Sequence, residues 1–397
     1  MRGPREFTPK APNSWGFLIG YVRSRTRLWS VAGLWTGILL IAFDLYAAVV
    51  TYIPQYLVRN DFRLIYGAAK VALQSGFRHV YDLDAQKAAT EAIAQGVYWQ
   101  PFLNPPPLVW LAAPFTSLPF GVAIWLWTAL LVGAALLAWY LTAPGDLLAR
   151  AAHLALFLGL FSTAFGLMVG QPGVLVAAAV AVACWLAERR RDVAAGVALS
   201  FIAIKPQLAL IVPLCLLVAG HLRMFAGWAV ASALIALVAV AMLGAEGIER
   251  YRDVLSLASQ WEPTRRYAVA GPLGLGPQLY VIQALVVAVA VLAAWRQRSA
   301  GTGLPIAIGL VASLLFTPYV GFQDFAMLVV AGWLVLRARP SAVQVGILVI
   351  GYALLELALL VLAVPILLAE AILLLTLLWE PRRAYSAHEA VRGLDTG

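Results

Sequence analysis

The sequence predicts an all-α polytopic membrane protein, with a bundle of about 11 to 13 transmembrane helices. Of its 397 residues, 62% are hydrophobic and only 12% are charged, and the mean hydropathy is +0.86. A soluble domain of this size would need about twice that charge to cover its surface. A polar insert of about forty residues follows the first apolar run, and it predicts an external first loop with interfacial helices.

The net charge of +9 comes from short basic clusters between apolar runs, which is the positive-inside pattern of membrane proteins. It therefore does not indicate a nucleic-acid partner. The two cysteines, Cys184 and Cys215, stand alone inside apolar runs, so we expect neither a disulfide nor a metal site. The sequence has no phosphate-binding glycine loop and no zinc-protease motif, and we expect no cofactor.

The apolar runs give the predicted spans, each close to the length that crosses the hydrocarbon core. The spans are residues 28–50, 121–141, 147–167, 172–186, 193–220, 224–243, 279–295, 304–316, 325–336, 342–361 and 364–379. Lys205-Pro206 interrupts the run 193–220, which we interpret as two half-helices. The first run is too long for a signal peptide, so residues 1–27 and 381–397 are predicted as cytoplasmic tails around a membrane domain at 28–380.

The orientation depends on the proline-rich segment 105–118. If this segment dips into the membrane and returns, the basic clusters fall on the cytoplasmic side. If it crosses as a short helix, one of the other spans must be wrong. The first choice places two external loops at about residues 51–106 and 244–278. In the first loop, apolar residues at helical spacing from Phe62 to Leu73 predict an interfacial helix, with Arg63 and Lys70 near the headgroups.

Three polar residues in or near apolar runs are candidates for chemistry. Asp61 is a possible general base if burial raises its pKa, or simply a helix N-cap. Lys205 either holds a phosphate, or it extends to the membrane surface or pairs with Asp44. Gln171 can hydrogen-bond hydroxyl groups, although a plain helix turn explains it equally well.

The second loop and the last two helices hold further candidates. Arg265 and Arg266 suit a lipid phosphate, or they anchor the loop at the membrane interface with nearby aromatic residues. Glu356 and Glu370 are acids within predicted spans, where ionisable groups are often functional.

Several of these residues lie in motifs that follow one another in the order found in the membrane glycosyltransferases of family 87. The motifs are Asp61-Phe62-x-x-x-Tyr66, Val80-Tyr81-Asp82, Phe102-x-Asn104-Pro105-Pro106, Pro114-x-x-x-Leu118-Pro119, Gly170-Gln171, Arg191-Asp192-x-x-Ala195-Gly196 and Lys205-Pro206. The chain resembles this family over roughly residues 55 to 340.

The resemblance implies the GT-C architecture and transfer of a sugar, with mannose expected, from a polyprenyl-phosphate donor to a lipid or glycan acceptor. The reaction would invert the anomeric carbon, with Asp61 as the base. Lys205, Arg265 and Arg266 would bind the donor phosphate. We expect the sugar or acceptor to be bound by Tyr66, Asn104, Gln171, Gln323 and Asp324. Asn104 stands where many members have tyrosine, the turn from Thr317 to Asp324 lacks their histidine, and Gly173 stands where they have asparagine. The missing histidine and asparagine leave the sugar and acceptor open.

The expected location is the bacterial inner membrane, with the site facing the periplasm and membrane lipids as partners. The rival hypothesis is a transporter or lipid flippase that uses an intramembrane pair of Lys205 and Asp44. A scaffold subunit whose loops bind partners is a third possibility.

Overall fold

A computed structural model describes residues 26–52, 60–96, 99–259, 265–360 and 363–379. The predicted tails, 1–27 and 381–397, lie outside the described residues except for Thr26 and Arg27. Within the described ranges the chain forms 17 α-helices and no strands. This confirms the predicted all-α polytopic membrane class.

The helices are numbered in chain order. They are α1 (Thr26–Ala47), α2 (Phe62–Ser75), α3 (Leu83–Glu91), α4 (Pro106–Ala112), α5 (Phe120–Thr142), α6 (Leu147–Gly159), α7 (Phe161–Val169), α8 (Gly173–Glu188), α9 (Asp192–Leu199), α10 (Val212–Val218), α11 (Leu222–Ser259), α12 (Ala270–Leu273), α13 (Pro277–Arg296), α14 (Gly303–Phe316), α15 (Ala326–Arg337), α16 (Ala342–Glu356) and α17 (Ala363–Trp379).

Four stretches are long and apolar enough to cross a membrane by length and composition. They are Arg27–Val50, Phe120–Thr142, Leu222–Ser259 and Pro277–Arg296. The pair α6 and α7 makes a fifth if it is counted as one broken span, and α8, α14, α16 and α17 are shorter apolar helices. The core lies where these short helices pack: α14, for example, is buried along almost its whole length.

The predicted span 147–167 is not one straight helix, because the chain bends by 59° between α6 and α7. Gly159 lies against α1 so closely that a Cβ there would come within 2.7 Å of the Gly37 carbonyl oxygen. Leu160 is extended, with ψ of 119°. The helix therefore ends at the glycine and restarts in a new direction as α7.

The predicted pair of half-helices in 193–220 is confirmed. Helix α9 continues as a 3₁₀ turn to Ile204, and α10 begins at Val212 after a second short turn at Pro206–Leu208. Lys205 stands between the two turns with φ of −154° and ψ of 71°. Proline cannot donate a backbone hydrogen bond, so the helix does not continue through this point.

The segment 105–118 forms α4, of seven residues, and a five-residue 3₁₀ turn. At 1.5 Å per residue this is far short of the roughly 30 Å hydrocarbon core. Leu108, Val109 and Ala112 are fully buried in protein. These dimensions favour a segment that dips in and returns over one that crosses.

Helix α2 forms where helical spacing predicts it, but it is covered by protein rather than lying on a membrane surface. Phe62, Ile65 and Tyr66 are buried, while Leu73 is 57% exposed. The expected headgroup position of Arg63 is wrong, because this residue is only 4% exposed. Phe62 stacks on Trp127 of α5 with ring centroids 4.7 Å apart, which fixes α2 to the membrane domain.

The second predicted loop, 244–278, begins as helix. Helix α11 passes through a kink at Gly244, where φ is 62°, and continues to Ser259. Its far part packs on the first loop, where Tyr251 stacks on Tyr81 at 4.3 Å and Arg250 lies 3.5 Å from the Asp82 carboxylate. The two loops thus form one layer over the end of the helix bundle.

Candidate active site

The start of α2 is fastened to the end of α7 by Asn60. The Asn60 side-chain amide donates to the Met168 carbonyl at 2.9 Å, and its oxygen accepts from the Phe62 N–H at 2.7 Å. The Asp61 N–H donates to the Val169 carbonyl at 2.7 Å. Since Asn60 does the capping and Asp61 makes no side-chain cap hydrogen bond, the N-cap interpretation of Asp61 is wrong and its carboxylate is left for another role.

That carboxylate begins a chain of side-chain hydrogen bonds. Gln171 donates through Nε2 to Oδ2 of Asp61 at 2.7 Å, and its Oε1 accepts from Nζ of Lys205 at 3.1 Å. Lys205 also donates to Oδ1 of Asp324 at 2.5 Å. The other oxygen of Asp324 accepts from the Gly321 N–H at 3.0 Å. Four residues that are far apart in sequence therefore form one connected group.

The turn that presents Gln171 requires glycine before it. Gly170 ends α7 with φ of 76°, a left-handed conformation that other residues adopt at a cost. A Cβ on Gly170 would lie 2.5 Å from Oδ1 of Asn60. The Gln171 N–H donates back to the Gly166 carbonyl at 2.9 Å, so the turn is tied to the helix it leaves.

The ion pair of Lys205 and Asp324 is almost fully buried, with side chains 6% and 3% exposed. A buried ion pair offsets the desolvation of its charges only if the remaining donors and acceptors are also satisfied. Here the Gly321 N–H and the Gln171 amide satisfy two of them. The result is a positive group at a fixed position beside the cavity.

Burial raises the pKa of Asp61 above the ordinary carboxyl value. The hydrogen bond from Gln171 and the charges of Lys205 and Arg63 act in the opposite direction and limit that rise. A carboxylate whose pKa moves toward neutrality is a better proton acceptor than an exposed one.

A cavity of about 320 Å³ lies in front of these groups, at the small end of the range for ligand pockets. Its polar wall combines predicted residues with residues that sequence reasoning missed. The predicted ones are Asp61, Asn104, Gln171, Lys205, Gln323 and Asp324. The missed ones are Gln100, Gln207, Tyr251 and Tyr319.

A family model for glycosyltransferase family 87 matches residues 102–318, which is more than half of the chain. The chain belongs to glycosyltransferase family 87. The predicted resemblance is thereby confirmed, and the protein is a membrane glycosyltransferase that uses a sugar donor and an acceptor. The match includes Gln171 and Lys205. Asp324 lies shortly after its end, and Asp61 lies well before its start at residue 102. No curated protein and no solved structure shows significant similarity to the chain.

Three predicted site residues of this glycosyltransferase do not line the cavity. Tyr66 is buried beside Phe120, and its hydroxyl donates to the Leu118 carbonyl at 2.8 Å. Arg265 is partly buried. Burial raises the pKa of Tyr319, and a hydrogen bond with Ser259 and the charge of Arg265 oppose that rise. Arg266 is exposed. Arg265 therefore lies near the rim of the cavity, because Tyr319 is one of the residues that line it. Tyr66 instead packs inside the protein.

The predicted pair of Lys205 and Asp44 does not form, since Lys205 binds Asp324 and Gln171 instead. Asp44 is buried, and neither of its carboxylate oxygens has a hydrogen-bond partner within the described part of the chain. This removes the ion pair on which the transporter hypothesis depended.

The missed residues gave weak signals in the sequence. Gln100 and Gln207 carry no charge and stand in no known motif, although Gln207 follows Lys205-Pro206 in the same broken turn. Tyr251 lies on a helix that the hydropathy pattern ended at residue 243. Within the described ranges, no three histidine, cysteine or acidic side chains lie together as candidate metal ligands.

Proposed function

We propose that this glycosyltransferase transfers a sugar, with mannose as the first candidate, from a polyprenyl-phosphate donor to a lipid or glycan acceptor. Transfer inverts the anomeric carbon and takes place on the outer face of the bacterial inner membrane, with both chain termini in the cytoplasm. The proposal rests on the Asp61 carboxylate. This group does not cap α2, it lines the cavity, and two hydrogen bonds through Gln171 connect it to the buried Lys205.

Asp61 acts as the general base. The acceptor hydroxyl attacks the anomeric carbon while its proton passes to a carboxylate oxygen of Asp61, and the bond between that carbon and the phosphate oxygen breaks. The polyprenyl phosphate leaves with the bonding electrons. Oδ2 of Asp61 is held by Gln171, so Oδ1 is the oxygen that is available to the acceptor.

Lys205 stabilises the negative charge that develops on the leaving phosphate. Its ammonium group has three N–H donors, of which Gln171 and Asp324 occupy two. The third can meet a phosphate oxygen without breaking the pair. Because Asp324 holds the ammonium in place before the reaction, little reorganisation is needed as charge develops. Arg265 and Arg266, near the rim and at the surface, add positive charge for the approaching donor.

Side-chain amides bind the sugar hydroxyls. Gln100, Asn104, Gln207 and Gln323 line the cavity, and their amide groups take part in no side-chain hydrogen bond with the described residues. An amide can donate to one hydroxyl and accept from another. Gln171 differs from these four, since both ends of its amide are already engaged; we assign it to holding Asp61, with sugar contact secondary.

The experiment compares the wild type with Asp61→Asn and with Asp84→Asn. Asp84 is an exposed carboxylate on α3 of the same loop, so its variant is the matched control. Each purified protein is incubated with radiolabelled polyprenyl-phosphate mannose and membrane lipid extract, and labelled product is separated and quantified. Donors with other sugars follow if mannose gives no product.

We expect Asp61→Asn to lower turnover by about 10²- to 10⁴-fold, the range for loss of a general base, while the protein still inserts and purifies normally. Asp84→Asn should turn over like the wild type. Turnover by Asp61→Asn at the wild-type rate would refute the assignment. NMR of the product tests inversion independently, because a retained anomeric configuration contradicts direct displacement.

A further inference from the structure

Glu356 is an acid inside the helix bundle that has no part in the proposed chemistry. It ends α16, and its Oε2 accepts from the Phe161 N–H at 3.1 Å, a contact between residues 195 apart in sequence. Phe161 is the first residue of α7, at the 59° bend. The sequence singled out Glu356 as an acid within a predicted span, and the structure shows that it is partly buried and holds the start of α7.

Glu356 supplies a hydrogen-bond acceptor at the start of α7, where the chain bends. The first N–H groups of a helix have no partner inside the helix, and water is scarce between apolar helices. A carboxyl oxygen at this end also complements the positive end of the helix dipole. Glu356 therefore fixes where α7 begins and the direction in which it leaves the bend.

The other end of α7 holds the proposed base. Carbonyls of Met168 and Val169 accept from Asn60 and Asp61, and the Gly166 carbonyl accepts from the Gln171 N–H. Helix α7 has nine residues and so spans about 13 Å. Over this length a helix behaves as a rigid connector between the Glu356 carboxyl and the Asp61 backbone.

Helix α7 also contacts the turn that carries Asp324, the partner of Lys205. Phe161 and Phe165 pack on Phe322, with ring centroids 5.2 and 5.9 Å apart. Phe322 opens the 3₁₀ turn that contains Asp324. A shift of the first turn of α7 would therefore reach both Asp61 and the partner of Lys205.

We infer that Glu356 is a positioning residue for this glycosyltransferase: by holding the N-terminus of α7, it sets the place of Asp61 and its hydrogen bond from Gln171. The inference rests on the proposed role of Asp61 as the base. Tyr352, one turn earlier on α16, is engaged elsewhere, since its hydroxyl donates to the Leu156 carbonyl at 2.9 Å. No hydrogen bond joins Asp44 to Glu356 in the described residues.

The test uses Glu356→Leu, which removes the acceptor, and Glu356→Gln, which keeps an oxygen for the Phe161 N–H. The matched control is Glu370→Leu. Glu370 is likewise an acid within a predicted span and is only 4% exposed, but it lines a separate apolar cavity of about 360 Å³. None of the described hydrogen bonds joins it to α7.

We expect Glu356→Leu to lower kcat by up to about 100-fold, the effect of a displacement near 1 Å at the reacting groups. The KM for donor should change less than kcat, because α7 reaches Asp61 through direct backbone hydrogen bonds but reaches the partner of Lys205 only through Phe322. As Asp61 loses the Gln171 hydrogen bond, the acidic limb of the profile of kcat/KM against pH should move up by about one pH unit. Glu356→Gln should restore most of the activity, and Glu370→Leu should leave the limb unmoved.

Hydrogen exchange followed by mass spectrometry tests the connection without using activity. Faster exchange of the α7 amides and of the Asp61 amide in Glu356→Leu, but not in Glu356→Gln, supports the inference. Wild-type exchange together with a wild-type pH limb in Glu356→Leu would overturn it. If Asp61→Asn remains active, Asp61 is not the base. Faster hydrogen exchange in Glu356→Leu would then still show that Glu356 holds α7 and the Asp61 backbone in place, but this positioning would have no role in catalysis.

Discussion

Replacement of Gln171 by methionine removes one defined hydrogen bond from the proposed base and keeps the length of the side chain. In the wild type, Nε2 of Gln171 donates to the Asp61 carboxylate at 2.7 Å. A hydrogen bond to a charged group contributes about 1.5 to 3 kcal/mol. Since about 1.36 kcal/mol corresponds to a factor of ten, the loss should raise the pKa of Asp61 and lower kcat/KM at acidic pH by about ten- to a hundredfold.

The direction follows from the role of a base. The reaction needs Asp61 ionised, so kcat/KM falls as pH drops through the pKa of this carboxyl. Burial already raises that pKa above the ordinary value, and the Gln171 hydrogen bond opposes the rise. Without the hydrogen bond, the acidic limb should appear at higher pH, while the rate at the plateau changes less than the rate at low pH.

The assay measures kcat/KM from about pH 4 to 9 with purified wild type, Gln171→Met and Gln74→Met. Gln74 is exposed on α2, which makes it the matched control. If the acidic limb of the kcat/KM profile stays at the same pH in Gln171→Met, and turnover is intact, the reasoning is refuted. That result would mean either that Asp61 is not the titrating group or that the amide does not act on it.

Two further substitutions test the remaining parts of the site. Lys205→Met leaves the buried Asp324 carboxylate without its cation, so the free energy of unfolding should fall by about 3 to 5 kcal/mol. Thermal unfolding in detergent measures this loss. The double variant Lys205→Met/Asp324→Asn should recover most of it. Gly170→Ala places a Cβ 2.5 Å from Oδ1 of Asn60 in a left-handed turn, which should destabilise the protein by at least about 1 kcal/mol and reduce turnover. An alanine variant with wild-type stability and turnover would contradict the account of that turn.

Hydropathy and proline placement predicted much of the fold because both act locally. Crossing a membrane requires a minimum length of apolar helix, and the spans at α1, α5 and α13 were found within three residues of their ends. Lys205-Pro206 correctly marked the break between α9 and α10. The bend at Leu160 was not predicted, because Gly159 breaks the helix only through its close contact with α1.

The sequence predicted several residues of the candidate site, but not which of them contact one another. Sequence reasoning named Asp61, Gln171, Lys205 and Asp324 one by one, and the order of the motifs indicated the family. It offered Asp44 as one partner for Lys205, and the residues alone left Asp61 open between cap and base until the resemblance favoured the base. The structure pairs Lys205 with Asp324 and gives the capping role to Asn60.

The sequence by itself determined that this chain is a helical membrane protein of glycosyltransferase family 87 with a polar insert opening at Asp61, because composition, apolar run length and motif order are properties of the linear chain. Only the tertiary structure decided which polar groups meet. Each of those contacts joins residues that are more than a hundred positions apart, apart from the Gln171–Lys205 bond across 34, and helix packing alone sets such distances. Glu356 is the clearest case, since its sequence neighbourhood contains nothing that points to α7.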